Sequence, residues 1–130
     1  MNIMIVDDEL ISRKKLSIIL QAYGDCTEFP SGSDAIDYYQ TASEEGHAID
    51  LITLDIDMPD MSGIETLKKI RSIQKELDIP KKTLPIIFMV TSMNDQQNLM
   101  DSLSQGCSDY IVKPFDEKKI LEKLNNHNII

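Results

Sequence analysis

Asp50-Leu51-Ile52-Thr53-Leu54-Asp55-Ile56-Asp57-Met58-Pro59 decides how this chain is read. Its apolar run has the length of a buried strand and ends on a carboxylate. A strand that delivers a carboxylate to its C-terminal edge puts charge where a parallel sheet meets solvent, the usual ligand crevice of open α/β folds. Three other apolar runs end on polar groups aimed at the same edge. Val6-Asp7-Asp8 closes the first, Val90-Thr91-Ser92 the fourth and Val112-Lys113-Pro114-Phe115 the fifth. An acid pair, a lone Asp, a hydroxyl and a Lys on separate strand ends make a pocket for a divalent cation and a phosphoryl group.

Outward from that stretch, strand-like and helix-like periods alternate five times. The strand candidates are 2–6, 26–29, 51–54, 86–90 and 109–112. The first, third and fourth are nearly continuous apolar runs, as strands covered on both faces require. The second is more polar and is expected at an edge. Between them Leu16, Ile19, Leu20 and Tyr23 share one helical stripe, with Gly24 as its stop. Ser31 or Ser33 caps a helix carrying Ala35, Ile36 and Tyr39, and Ser62-Gly63 precedes Ile64, Leu67 and Ile70. Asn94 or Asp95 precedes Leu99 and Leu103, with Gly106 as stop, and Asp116 precedes Ile120, Leu121 and Leu124. These stripes read as core-facing. Alternating elements imply parallel strands, right-handed crossovers and helices on both faces, hence a three-layer α/β sandwich. The long connection 75–84 reads as a helix end plus a surface loop.

At 130 residues the chain is one domain, 1–130, large enough for a real core. A net charge of −9 argues against holding nucleic acid, which needs clustered Lys and Arg. The Lys pairs are scattered among acids and read as solvated faces. Cys26 and Cys107 have neither disulfide nor zinc spacing and read as reduced, mostly buried thiols. His47 and His127 stand in polar surroundings and read as non-functional. Met1 runs straight into a strand, and no apolar stretch reaches membrane-spanning length, so a cytoplasmic protein is expected.

The acids make sense together. Mg2+ takes hard oxygen ligands, keeps several waters, and is held by one or two carboxylates plus a phosphate. Asp7, Asp8 and Asp55 crowd three negative charges, which is unfavourable unless a cation binds. Lys113 can neutralise transferring oxygens as a point charge, and the Thr91 hydroxyl can donate a hydrogen bond. Asp55 would then be the nucleophile, forming an acyl phosphate.

Val6-Asp7-Asp8, Leu54-Asp55-x-x-Met58-Pro59-x-Met61-x-Gly63, Val90-Thr91-Ser92 and Tyr110-Ile111-Val112-Lys113-Pro114-Phe115 resemble the receiver domain of two-component response regulators. The match spans essentially the whole chain with its motifs in order. The resemblance implies a flavodoxin-like parallel sheet of order 2-1-3-4-5. It implies that Asp55 accepts a phosphoryl group from a phosphohistidine on a sensor histidine kinase or histidine phosphotransfer protein. Asp8, Asp55 and the Asp57 backbone carbonyl would ligate Mg2+ (or Mn2+), with Asp7 acting through water. Lys113 would pair with Asp55 before transfer, and a cis Lys113-Pro114 bond is expected. Thr91 and Tyr110 would carry the signal to the face of the fourth helix, fifth strand and fifth helix, where a downstream protein binds. A single-domain regulator, monomeric or dimerising on phosphorylation, without direct nucleic-acid or membrane contact, is the implied form. It would not be a turnover enzyme.

Each residue has a plainer alternative. Asp7-Asp8 could cap a helix with Glu9 complementing its dipole, Thr91 could cap a strand end, and Tyr110 could be a half-buried aromatic. Two rival functions exist. Asp55-Ile56-Asp57 mimics the nucleophile pair of haloacid-dehalogenase-type phosphatases, but Pro59 and the leading position of the acid pair depart from that pattern. A phosphorylation-independent module with the same fold would ordinarily lose a pocket group, and none is missing here. Asp57 and Met93 flank the expected path of a hydrolytic water, and Met93 cannot hydrogen-bond one.

Overall fold

A computed structural model describes residues 1–92 and 96–130. Met93, and the cap expected at Asn94 or Asp95, lie outside the described residues. The elements alternate as β1 (Asn2–Val6), α1 (Leu10–Leu20), β2 (Asp25–Phe29), α2 (Gly32–Glu44), β3 (Leu51–Asp55) and α3 (Gly63–Glu76). A short 3-10 turn (Lys81–Thr83), β4 (Ile86–Ser92), α4 (Gln96–Ser104), β5 (Asp109–Lys113) and α5 (Glu117–Asn126) follow. All strand pairs are parallel, in the order β2-β1-β3-β4-β5. The flavodoxin-like three-layer sandwich is therefore the observed fold, with β2 at an edge as its polarity requires.

The strands sort their side chains by alternation. Met4, Val6, Ile52, Leu54, Ile87 and Met89 enter one core with Ala35 and Tyr39 of α2 and Leu67 and Ile70 of α3. Ile3, Ile5, Leu51, Phe88, Val90 and Ile111 enter the other, against Leu16 and Leu20 of α1 and Ile120 and Leu124 of α5. Each buried Val, Leu, Ile, Met or Phe side chain among them contributes about 1.5–3 kcal/mol by leaving water, which is what holds the layers in register. The same alternation aims the strand ends. Asp7 continues the Ile3-Ile5 row, Asp55 the Leu51 row and Lys113 the Ile111 row, so all three leave the sheet on the α1/α5 side. Thr91 follows Met89, and Tyr110 packs against the α2/α3 core, on the other side.

Local signals hold at three helix starts. The Ser31 hydroxyl accepts from Asp34 N (3.2 Å), Ser62 from Glu65 N (3.1 Å), and Asp116 Oδ1 from Lys119 N (2.9 Å). Gly106, at φ +86°, ends the α4 segment in the left-handed region that glycine tolerates. Four expectations are corrected. Helix α1 stops at Leu20, before Gly24; Gly24 is small because a Cβ there would lie 2.3 Å from Met1 O. Leu103 is exposed rather than core-facing, as is Met100 on the same helix. Cys26 and Cys107 are free but only half-buried, with thiol pKa values pushed up by burial and then by neighbouring carboxylates. His127 is not simply solvated: its ring lies 5.2 Å from Phe88 and its Nε2 is 2.9 Å from Asp109 Oδ2.

Candidate functional site

Asp55 is the last residue of β3 and is only 3% exposed. Ile56 N donates to Val90 O (2.9 Å), so the ladder runs past the acid and fixes where its Cβ points. Behind it the chain turns tightly. Gly63 N donates to Ile56 O (2.9 Å), and a Cβ at Gly63 would lie 2.1 Å from Asp55 O. The α3 helix therefore starts flush against the Asp55 backbone only because residue 63 has no side chain.

Asp7, Asp8 and Asp55 each offer a carboxylate oxygen, and these oxygens lie within 4.8 Å of one another. Asp7 is 1% exposed and Asp8 is open to solvent. Asp7 is not the cap of α1. That position belongs to Glu9, whose own side chain makes no capping bond, while Asp7 Oδ1 accepts from Glu9 N (2.9 Å). The bend this enforces, together with Arg13 Nη1 donating to Asp7 O (2.8 Å), holds the acid pair at the crevice.

Lys113 closes the opposite wall. Its ammonium lies 3.4 Å from Asp55 Oδ2, 3.2 Å from Asp7 Oδ2 and 2.5 Å from Glu9 Oε1. The Lys113-Pro114 peptide is cis, as the resemblance implied. Burial, then the Asp7 charge, push the Asp55 carboxyl up to about 8, with Lys113 opposing only in part. Burial works against the Lys113 ammonium, but the Glu9 hydrogen bond and the charges of Asp55 and Asp7 outweigh it and raise its pKa. Asp55 is thus an acid whose ionisation waits for more positive charge.

That charge has a place to bind. Asp7 Oδ2 is buried, and Lys113, though within ion-pair distance, is not aligned to donate to it; no other hydrogen-bond donor reaches it among the described residues. A buried carboxylate oxygen without a donor beside two more carboxylates suits a hydrated hard cation. Asp57 N donates to Asp55 Oδ1 (3.3 Å), which keeps the Asp57 peptide beside the cluster. The expected ligand residues therefore converge, and Mg2+ fits the oxygen-only donor set.

The other expected residues lie nearby. Thr91 is buried on the far side of β4, and its hydroxyl donates to Ser92 O (3.2 Å). Tyr110 is half-buried on β5, with the Lys123 ammonium 4.9 Å from its ring centre. Met93 is outside the described residues. The sequence placed Glu9 only in the helix-cap alternative, as a dipole partner, and did not reveal its contact with Lys113. Nor did it single out the buried Thr53 hydroxyl on the Asp55 side of β3, which has no hydrogen-bond partner among the described residues. A carboxylate directly after the acid pair was the one available signal for Glu9.

Strand order, crevice and convergent acids define a receiver-type α/β domain. Residues 3–125 match the response regulator receiver domain, and the chain belongs to that family of two-component signalling domains. It is 34% identical over 125 residues to the chemotaxis protein CheY of Bacillus subtilis (strain 168), covering 95% of this chain and 93% of that protein. Among solved structures, Vibrio cholerae chemotaxis protein CheY4 is similar at TM-score 0.78 with 27% identity, covering 96% of each chain. A chain of the CheX–CheY–BeF3–Mg2+ complex from Borrelia burgdorferi is similar at TM-score 0.79 with 29% identity, covering 98% of this chain and 88% of that one. No helix among the described residues is long and apolar enough to cross a membrane.

Proposed function

We propose that this domain is a phosphoacceptor switch in which Asp55 takes a phosphoryl group from a phosphohistidine on a sensor histidine kinase or histidine phosphotransfer protein. The observation that carries the reading is the Asp55 carboxylate itself, buried between the Asp7-Asp8 pair and the Lys113 ammonium. A carboxylate oxygen of Asp55 forms the new O–P bond as the donor's P–N bond breaks. The departing imidazole keeps the bonding pair and takes a proton from solvent.

Each neighbour has a task. Asp8, Asp55 and the Asp57 carbonyl would hold Mg2+, or Mn2+ in its stead, with Asp7 bonded through water. The ion supplies positive charge that lets Asp55 ionise and approach an anionic donor. Lys113 leaves Glu9 to hold the phosphoryl oxygens as a fixed point charge. Thr91 exchanges its Ser92 carbonyl for a phosphoryl oxygen. That movement opens space on its side of β4, which the Tyr110 ring enters, and the α4-β5-α5 face changes its affinity for a downstream protein. The switch acts as a monomer in the cytoplasm, without direct nucleic-acid contact, and catalyses only its own phosphorylation and dephosphorylation.

The experiment is a time course with acetyl phosphate, with and without Mg2+, following protein mass and released inorganic phosphate together. One phosphate per chain, lost on adding chelator before the donor, supports the reading. Sustained multiple turnover of a small phosphate ester would instead support the phosphatase alternative, and a protein inert to donor and Mg2+ would support a phosphorylation-independent module.

A further inference from the structure

Tyr110 is held from outside by a bracket of three residues that belongs to neither the acid cluster nor Lys113. Asp109 opens β5, one residue before Tyr110, and its Oδ1 accepts from Tyr110 N (2.8 Å) and from Lys123 Nζ (2.8 Å). The Lys123 ammonium so fixed lies 4.9 Å from the centre of the Tyr110 ring, within cation–π range. Asp109 Oδ2 reaches His127 Nε2 at 2.9 Å, and the His127 ring packs on Phe88. Phe88 is the register partner of Asp109 on β4, so the bracket is bolted to the sheet and spans from β5 to the end of α5.

The bracket is well built electrostatically. Burial would raise the Asp109 carboxyl, but hydrogen bonds from Lys123 and His127 outweigh it and lower its pKa. Lys123 is half-buried, so its charge is less screened than that of a surface lysine. Tyr110, Ile111 and Val112 line a cavity of about 260 Å³ with Lys119 and Lys123, which leaves the ring open space on its outer side. The ring packs on its inner side against the α2/α3 core, and on the cavity side the Lys123 ammonium is the cation within cation–π distance of it among the described residues.

We propose that Lys123 is a positioning residue of the switch: seated by Asp109 over the Tyr110 ring, its ammonium holds that ring in the resting position and sets the bias that phosphorylation must overcome. The inference rests on the reading that Tyr110 reports phosphorylation. Cation–π contacts at partly exposed sites correspond to about a two- to fivefold bias between two states. Lys123 acts only through Tyr110, so it should alter the resting balance without altering the chemistry at Asp55.

The test uses the full chain labelled with 3-fluorotyrosine, with the Tyr110 resonance assigned among the four tyrosines by Tyr110→Phe. Fluorine spectra of wild type, Lys123→Met, Asp109→Asn and Lys123→Arg are compared before and during titration with beryllofluoride and Mg2+. Lys123→Met and Asp109→Asn should shift the resting Tyr110 resonance toward its beryllofluoride position, and Lys123→Arg should restore the wild-type spectrum. The rate of phosphorylation by acetyl phosphate should be the same in all four. A wild-type Tyr110 that responds to beryllofluoride, with Lys123→Met and Asp109→Asn indistinguishable from it at rest, overturns the inference alone. A wild-type Tyr110 resonance indifferent to beryllofluoride overturns the readout and the inference with it.

Discussion

Lys113 stands 3.4 Å from Asp55 Oδ2 but 2.5 Å from Glu9 Oε1, so the cation that will meet the phosphoryl group rests mainly on an exposed carboxylate. The arrangement is suited to exchange. An ammonium committed to the buried Asp55 would have to break a desolvated pair, whereas Glu9 is exposed and water can replace the ammonium there. Lys113→Ala should therefore keep Mg2+ binding yet lose the wider response. Amide shifts on adding beryllofluoride with Mg2+ would then stay within the residues around Asp55. Shifts reaching β5 and α5 as in wild type would remove Lys113 from the relay.

Asp55 makes the metal-free protein sensitive to pH in a definite sense. Its carboxyl titrates at about 8 in the fold and near 3.9 when unfolded, so between those values the native state holds a proton that the unfolded chain lacks. Stability from this group is complete below the unfolded value and is lost as pH rises through the folded one, at about 1.4 kcal/mol per pH unit as an upper bound. Asp55→Asn should match wild type near the acid end of the window and become progressively more stable toward its alkaline end. Thermal melts in chelator across that range check this, and added Mg2+ should narrow the gap by stabilising wild type. Parallel curves at all pH values would mean that Asp55 is not held protonated.

Gly63 carries the geometry of the crevice floor. A methyl group there would meet Asp55 O at 2.1 Å and Ile56 Cα at 2.8 Å, and these are backbone atoms that cannot swing aside. Gly63→Ala should destabilise the domain by about 1–3 kcal/mol, the usual cost of forcing extra volume into packed structure. It should also slow phosphorylation, because the shift falls on the nucleophile's own backbone. Wild-type melting and labelling in this variant would show that α3 can move away freely.

Thr91 and Tyr110 sit diagonally on one face of neighbouring strands, with Thr91 opposite Val112 and Met89 opposite Tyr110. Removing the hydroxyl should separate chemistry from signal. Thr91→Ala is expected to take up phosphate at Asp55 but to show little phosphorylation-dependent change at Tyr110 or in α5. Full phosphorylation-dependent binding of a target by this variant would sink the Thr91 step.

Much of this was legible in the residues, for a physical reason. Strands covered on both faces must be apolar throughout, so β1, β3 and β4 announce themselves, and the polar group that ends each run is the site. The runs undercount the strands at that end. Asp55, Ser92 and Lys113 still pair in the ladder, although the Asp55 and Lys113 side chains belong to the crevice. What stayed hidden depends on partners far along the chain. Glu9 meets Lys113 across 104 residues, and Asp109 meets His127 across 18. Helical spacing marked Leu103 as core because periodicity gives a face without saying what covers it, and Leu103, like Met100, is exposed. The cap and hydrolysis positions at 93–95 fall outside the described residues.

The central claim is that Asp55 alone accepts the phosphoryl group. Intact-mass measurement of wild type and Asp55→Asn after incubation with acetyl phosphate and Mg2+ tests it most directly. One added phosphate on wild type, absent from Asp55→Asn and absent from wild type in excess chelator, is the predicted result. Comparable labelling of Asp55→Asn would contradict the account and move the chemistry to another carboxylate.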